Sequence, residues 1–495
     1  MKQHAQRSKR PPSRTLAPRI LAALTAGAVT LGALPYAYAD DVDDVVISSV
    51  TEDLIFPRVN ADVVGSLDGS SATITIGRTG YGTTPRIFTV YSSGQFARWC
   101  VAYGALYLQR DTENVLLTNS KAIIRSGSLL GGIGADIYLS KGGTARVEDS
   151  TVEVSGGNFE RSDTSSVYPH FFGGSVYVSE SGTHGVAEVV RSHATVTGGT
   201  FEAVNIAGGN VNSFSIAHAE ALAEENTATF TGGSTRDRAG ADLYGGTAFA
   251  ESHNTAAARA LRNRLTVNTG TELGSLYGGR AVTGSGTSRS AQANENVINV
   301  KASAKTFFGG YAGSIDYPSI ATALSTAEAN RNKIWIAPGS GTFTDPSAGG
   351  QSKLSDSQIT ELRGAANENE LSIGGGTFAA DIAGGRSFAE NTRTGADSIA
   401  RAEAVKNKVW TPAGTFQADL SGGSAKVQAT AGRAEAAAHE NELYVKGGTY
   451  QQNVYSGDAA AASENGSAVA QATKNYLATE TNVMQGIMGG LASAE

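Results

Sequence analysis

Apolar residues in this chain fall in short alternating runs, not in the three-and-four spacing of an amphipathic helix. Leu265 and Val267, Ile298 and Val300, Ile334 and Ile336, Leu371 and Ile373, and Leu443 and Val445 each stand two apart with a polar residue or Trp between them. A spacing of two puts both residues on one face of a strand. Each pair follows, at two and four residues, a member of one column: Ser150, Ser192, Asn226, Asn263, Asn296, Asn332, Asn369, Asn407, Asn441 and Asn475. The last copy is weaker, with Leu477 followed by Thr479. Successive column members lie 33 to 42 residues apart. A period of that size predicts a stacked array in which no single copy can bury its own apolar face.

Two further signals share the period. After the apolar pair comes a Gly pair with Thr and an aromatic residue, as in Gly375–Phe378 and Gly447–Tyr450, and Gly there permits a positive-φ turn. A second short strand then ends in another Gly pair, as in "DLYGG", "DIAGG" and "DLSGG". Ahead of the column, alanines stand three and five residues upstream, among them Ala258 and Ala260, Ala402 and Ala404, and Ala436 and Ala438. Their spacing of two predicts a strand in spite of the helix propensity of Ala, and their size predicts close approach of another layer. The buried positions are odd before the column and even after it, so the chain bends there. We place the Asn itself at this corner, in the left-handed region that Asn tolerates, with stacked copies forming a side-chain amide ladder.

Together these elements predict an all-β protein, a single-stranded β-helix or β-solenoid of about ten repeats of ~35 residues, one turn per repeat. The expected organisation is a signal peptide at 1–39, an N-terminal capping region at 40–125, a repetitive solenoid at 126–480 and a C-terminal tail or truncated linker at 481–495. The variable stretches between the second Gly pair and the alanine strand read as side loops.

Composition adds the cellular setting. Lys2, Arg7, Lys9, Arg10, Arg14 and Arg19 precede an apolar run from Ile20 to Leu34 and a small-x-small triplet ending at Ala39, before Asp40. This is the pattern of a secretory signal, and the apolar run is too short and too broken for a span. Its removal takes away six basic residues and no acidic ones, so the net charge falls from −7 to −13. An acidic surface argues against nucleic acid as a partner. The lone cysteine, Cys100, leaves stability to stacking.

A signal peptide, a cysteine-poor β repeat and the motif N-x-apolar-x-apolar-x-G-G-T followed by a second Gly pair resemble the passenger region of Gram-negative autotransporters, over roughly residues 110–480. The resemblance implies a β-solenoid at the cell surface, often an adhesin, and an outer-membrane translocator barrel as partner. The chain departs from that family in carrying no run of alternating strands suited to a barrel.

Candidate chemistry is sparse. The seven His form no paired metal spacing, and no nucleophile elbow is present. Asp242, Asp381 and Asp419 share a column that suits either calcium or turn capping, and capping is the expectation, because Asn205, Ser275 and Asn453 fill the same column elsewhere. Trp335, Trp410 and Tyr444 each follow their column Asn by three residues and so face outward, where flat rings can stack on sugars. Covering loops or a stabilising ring ladder is the favoured account of them, because scattered exposed aromatics are common. No cofactor or metal is expected. The expected role is a non-catalytic, exported, adhesin-like surface or secreted solenoid that mediates attachment or cell–cell contact through a host or neighbouring-cell ligand, glycans included. A β-helix carbohydrate-active enzyme and a purely structural spacer are the alternatives. N-terminal sequencing of exported protein should begin at Asp40, and a mature chain that retains Met1 would refute the export reading.

Overall fold

In a computed structural model, the described residues are 101–109, 113–125, 131–159, 169–179, 182–202, 204–235, 242–268, 272–315, 324–480 and 486–495, with the short strands Tyr36–Tyr38, Val45–Ile47, Thr73–Ile76 and Arg86–Val90. The Ala39–Asp40 junction, the apolar run before it and Cys100 lie outside them.

One circuit shows the plan. A corner strand, Glu370–Ile373, leaves Asn369. A glycine turn, with Gly376 at φ 108°, leads to the short strand Thr377–Phe378. The long strand Ile382–Asn391 follows, and the alanine strand Ile399–Val405 returns the chain to Asn407. Every strand then pairs in parallel with its counterpart one repeat on: Leu371 lies between Ile334 and Val409, and Ser372 between Trp335 and Trp410. Each repeat is therefore one turn of a parallel β-solenoid, as the sequence predicts. The corner strands form a 14-stranded sheet, parallel except for its first pair, Tyr36–Tyr38 with Val45–Ile47.

Alternation holds through these strands. Leu371 and Ile373 point inward and are buried, while Glu370 and Ser372 point outward. The interior has two compartments. Val, Ile, Leu and Phe from the corner strands, short strands and first halves of the long strands fill one. Its rings stack turn on turn, Phe343 on Phe378 at 5.1 Å, Phe378 on Phe416 at 5.0 Å and Phe416 on Tyr450 at 4.7 Å, close to the spacing of neighbouring strands. The second compartment is thin and mostly alanine, between the alanine strands and the second halves of the long strands. Small side chains let these two layers approach closely, as expected. Arg289 and Asp356, both buried, form an ion pair there, and Arg289 also donates to the Gly284 and Ile315 carbonyls.

The column asparagines separate the compartments. Each is fully buried from Asn226 to Asn441. Asn263 Nδ2 donates to Asn296 Oδ1 at 3.1 Å and to the Ala223 carbonyl at 2.9 Å. Its Oδ1 accepts from the backbone N–H and Nδ2 of Asn226. All four hydrogen-bonding sites of the amide are thus filled. The pattern continues in one direction through Asn296, Asn332, Asn369, Asn407 and Asn441 to Asn475. The second Gly pair packs directly on this ladder. A Cβ on Gly385 would stand 2.5 Å from Asn407 Oδ1 and 2.2 Å from the Ala366 carbonyl oxygen. One on Gly384 would stand 2.2 Å from the carbonyl oxygen of Gly422 in the next turn. The glycines let the long strand cross the ladder and pass from one compartment to the other.

Three expectations need correction. The left-handed residue is the one before each Asn, not the Asn: Glu225, Arg262, Glu295, Arg331, Glu368, Lys406, Glu440 and Lys474 have φ between 54° and 61°. The Asn is held inward by its amide bonds, so the reversal falls on the exposed residue ahead of it. Stacking also begins before residue 126, since Val101–Gln109, Glu113–Thr118 and Ser120–Ile124 pair in register with the following turn. At the other end, Ile487–Met488 and Leu491–Ala494 pair with Val454–Tyr455 and Asp458–Ala461, so this part of 481–495 continues the stack instead of forming a tail.

Asn369→Ala should lower stability by about 2–4 kcal/mol, because it orphans the buried N–H and Nδ2 of Asn332. Gly385→Ala should cost a similar amount through its clash with Asn407, and Ser372→Ala almost nothing. Hydrogen exchange at the Asn332 amide reads the local opening, and equal protection in all three variants would contradict the ladder's role.

Candidate functional site

The exposed side of the corner sheet carries the residues singled out from the sequence. Trp335 is 49% exposed and Trp410 45%. They lie two turns apart with Ser372 between them, and Tyr444 follows Trp410 in register. The Trp410 and Tyr444 ring centroids are 5.8 Å apart. Tyr476 extends the row at 5.6 Å from Tyr444 and is 53% exposed. Sequence reasoning missed Tyr476 because it stands one residue after its Asn instead of three. The alternation of the strand still puts both positions on the outer face, and that signal could have found it.

Charges frame the row. Lys446 Nζ lies 4.7 Å over the Trp410 ring, an arrangement that uses the negative face of the indole. Lys333 pairs with Glu370 at 3.0 Å and Lys408 with Glu442 at 3.3 Å, while the Tyr444 hydroxyl donates to Glu442 at 3.1 Å. These ion pairs hold the rings' neighbours in place, while Lys446 lies over the Trp410 ring. The row is a flat, partly apolar strip on a sheet that cannot easily flex, which suits the stacking of planar or ring-shaped ligands.

The corner itself carries a second row. The left-handed residues alternate in sign, from Asp149 and Arg191 through Glu225, Arg262, Glu295, Arg331, Glu368 and Lys406 to Glu440 and Lys474. Arg191 pairs with Asp149 at 2.9 Å, Arg262 with Glu225 at 3.1 Å, Arg331 with Glu295 at 2.7 Å, and Lys474 with Glu440 at 3.6 Å. Such pairs are individually weak at a surface. Their network offsets part of the left-handed backbone cost, about 1–2 kcal/mol per residue. Most of these charges are spent on one another, Lys406 reaching Glu440 at 3.9 Å.

The Asp column acts by capping. Asp242 Oδ1 accepts the Ser275 N–H at 2.7 Å, Asp381 Oδ1 that of Asp419 at 3.3 Å, and Asp419 Oδ1 that of Asn453 at 3.0 Å. Among the described residues no group of three or more His, Cys, Asp or Glu is placed to hold a metal. His184 and His218 stack at 4.8 Å, and His218 meets Glu220 at 2.7 Å, away from the aromatic row.

Comparison with protein-family models, curated proteins and solved structures finds no match to this chain. The class that the fold defines is an all-β, single-stranded parallel β-solenoid of about nine turns. No family is assigned within it.

On the outer face of the long strands, Asp136 stands in register with Ser175. Burial pushes its carboxyl up to about 6, only partly countered by a hydrogen bond with Ser175. A folded pKa above the unfolded value means that the acid's contribution is intact below about pH 4 and is lost as pH rises through 6. Asp136→Asn should therefore stabilise the protein by about 1–3 kcal/mol at pH 7 and flatten this part of the curve, as read by thermal melts from pH 4 to 7.

Proposed function

We propose that this chain is an exported, non-catalytic β-solenoid that works at or near a cell surface in attachment or cell–cell contact, as adhesins do. The observation that carries the reading is the row of Trp335, Trp410, Tyr444 and Tyr476, in which Trp335, Trp410 and Tyr476 are exposed and Tyr444 is half-buried between two of them, over a core that buries its Phe rings almost completely. Exposed aromatic strips of this kind are paid for in solubility and mark interaction surfaces. A glycan of a host or neighbouring cell fits the strip, since sugar faces stack on flat rings and sugar hydroxyls find partners in the flanking Lys and Glu.

The basic and apolar N-terminal segment supports export, and the resemblance to autotransporter passengers supports display at the cell surface by way of an outer-membrane barrel. A carbohydrate-active enzyme is the competing reading, and the carboxylates of the long-strand face are what it would rest on. Two of them, Asp381 and Asp419, are engaged as backbone caps. A glycan-binding screen and a polysaccharide-cleavage assay on purified protein separate the two. The expected result is binding without turnover, weakened about tenfold or more when Trp410 and Tyr444 are both changed to Ala, with melting little altered. Catalytic turnover would sink the proposal, as would binding that is indifferent to the double variant.

A further inference from the structure

The outer face of the long strands holds a second feature, a groove lined mostly by polar and charged side chains. One row along this face, just ahead of the second Gly pair, runs Tyr244, Tyr277, Phe308, Ala348, Ala383, Ser421, Tyr455 in consecutive turns. The first three rings pack on one another, Tyr244 on Tyr277 at 5.1 Å and Tyr277 on Phe308 at 5.5 Å, and Tyr311 closes against them. Phe308 is buried, and Tyr277 and Tyr311 are partly buried against it. The wall stops at Ala348. Three turns of small residues follow before Tyr455 restores a ring. Phe308 and Tyr455 lie four strand steps apart, or roughly 19 Å. Between them a groove of about 320 Å³ opens across the turns that carry Gln351, Arg386, Ser424 and Asp458.

The groove's polar groups fall into two sets. Three basic side chains, Lys353, Arg386 and Lys426, face three acidic ones, Asp381, Asp419 and Asp458. Lys426 is paired with Asp458 at 3.6 Å, and Ser424 also donates to Asp458. Asp381 and Asp419 each commit Oδ1 to the backbone of the next turn. Arg386 has no carboxylate partner among the described residues. Its Nη2 donates to the Asp381 carbonyl at 3.3 Å; burial lowers its pKa, and the charges of Asp381 and Asp458 act against that shift without forming an ion pair. Beside it in register, Gln351 is 9% exposed, and its Oε1 is buried without a hydrogen-bond partner. A buried amide oxygen without a partner and a guanidinium outside any ion pair thus stand side by side along one groove.

We propose that this groove binds a short acidic saccharide, a chain of uronic-acid type, with one sugar carboxylate on Arg386. A guanidinium takes a carboxylate through two parallel bonds, which supplies the missing partner. Sugar hydroxyls donate to the free carboxylate oxygens of Asp381 and Asp419 and to Gln351 Oε1. The rings of Tyr455 and Phe388 offer flat apolar surface to sugar faces. An acidic peptide fits less well, because it brings few hydroxyl donors for the carboxylates of Asp381 and Asp419, which a saccharide supplies beside its own acid group. The groove is chemically independent of the aromatic row on the corner sheet, so either can fail without the other.

Calorimetric titration of the full chain with a tri-uronate and with its methyl ester tests the assignment. The acid should bind saturably, and its affinity should fall as salt rises. The ester, and the Arg386→Gln variant titrated with the acid, should each bind about tenfold or more weakly. Arg363→Gln removes a cation from an alanine strand, remote in the fold, and should leave binding within roughly twofold. Circular dichroism melts show whether Arg386→Gln is folded, and if it is not, the acid-against-ester difference and the salt dependence in the unaltered chain decide. Absence of saturable binding, equal binding of acid and ester, full affinity in folded Arg386→Gln, or equal affinity for a short polyglutamate would each overturn the proposal.

Discussion

The solenoid depends on a buried amide in contact with glycine. Asn263 and its equivalents could occupy the interior only if all four hydrogen-bonding sites were filled, and the stacked copy on either side supplies that. An unfilled amide there would cost about 1–3 kcal/mol per orphaned group. The ladder brings the corner of one wall so far inward that the opposite wall can pass only as backbone, hence the Gly pair. Two compartments, the change of inward phase along the long strand and the thin alanine layer all follow from that one contact. The interaction is cooperative by construction, since no turn can satisfy its Asn alone.

Much of this was legible in the sequence because stacking forces identity. Asn recurs since only an amide of that length both accepts and donates along the stack. The alanines recur since the second layer has no room, and the Thr-aromatic pair recurs since rings stack about one strand spacing apart. The left-handed position was misplaced by one residue for a physical reason. A residue at φ near 55° is ordinarily Gly or Asn, but here it is Asp, Glu, Arg or Lys. The position points to solvent, where charge is welcome, and the backbone has no freedom because Asn is anchored behind it.

The surface was harder to read. Trp335 and Trp410 stood out as large residues at outward positions, but the wall of Tyr244, Tyr277 and Phe308 looked like more of the repeat motif. The row changes character beyond it. Ala348, Ala383 and Ser421 say nothing individually, and their meaning appears only beside the rings they replace. Charges gathered there come from turns some 35 residues apart in the chain, so no local motif announces them. Regular backbone fixes where side chains stand, and irregular substitution within a row makes the features that a ligand could use.

The alternating charges of the corner row carry a historical implication. Because Asp149, Arg191, Glu225, Arg262 and their successors change sign at every turn, the true translational unit of this edge is two turns, although the amide ladder repeats every one. Inserting or deleting a single turn would set Glu on Glu or Lys on Arg at the junction, while adding or losing a pair keeps every contact between opposite charges. Gene-level expansion of such an array is therefore favoured in even steps, and the two rows together act as a parity check on the length of the rod.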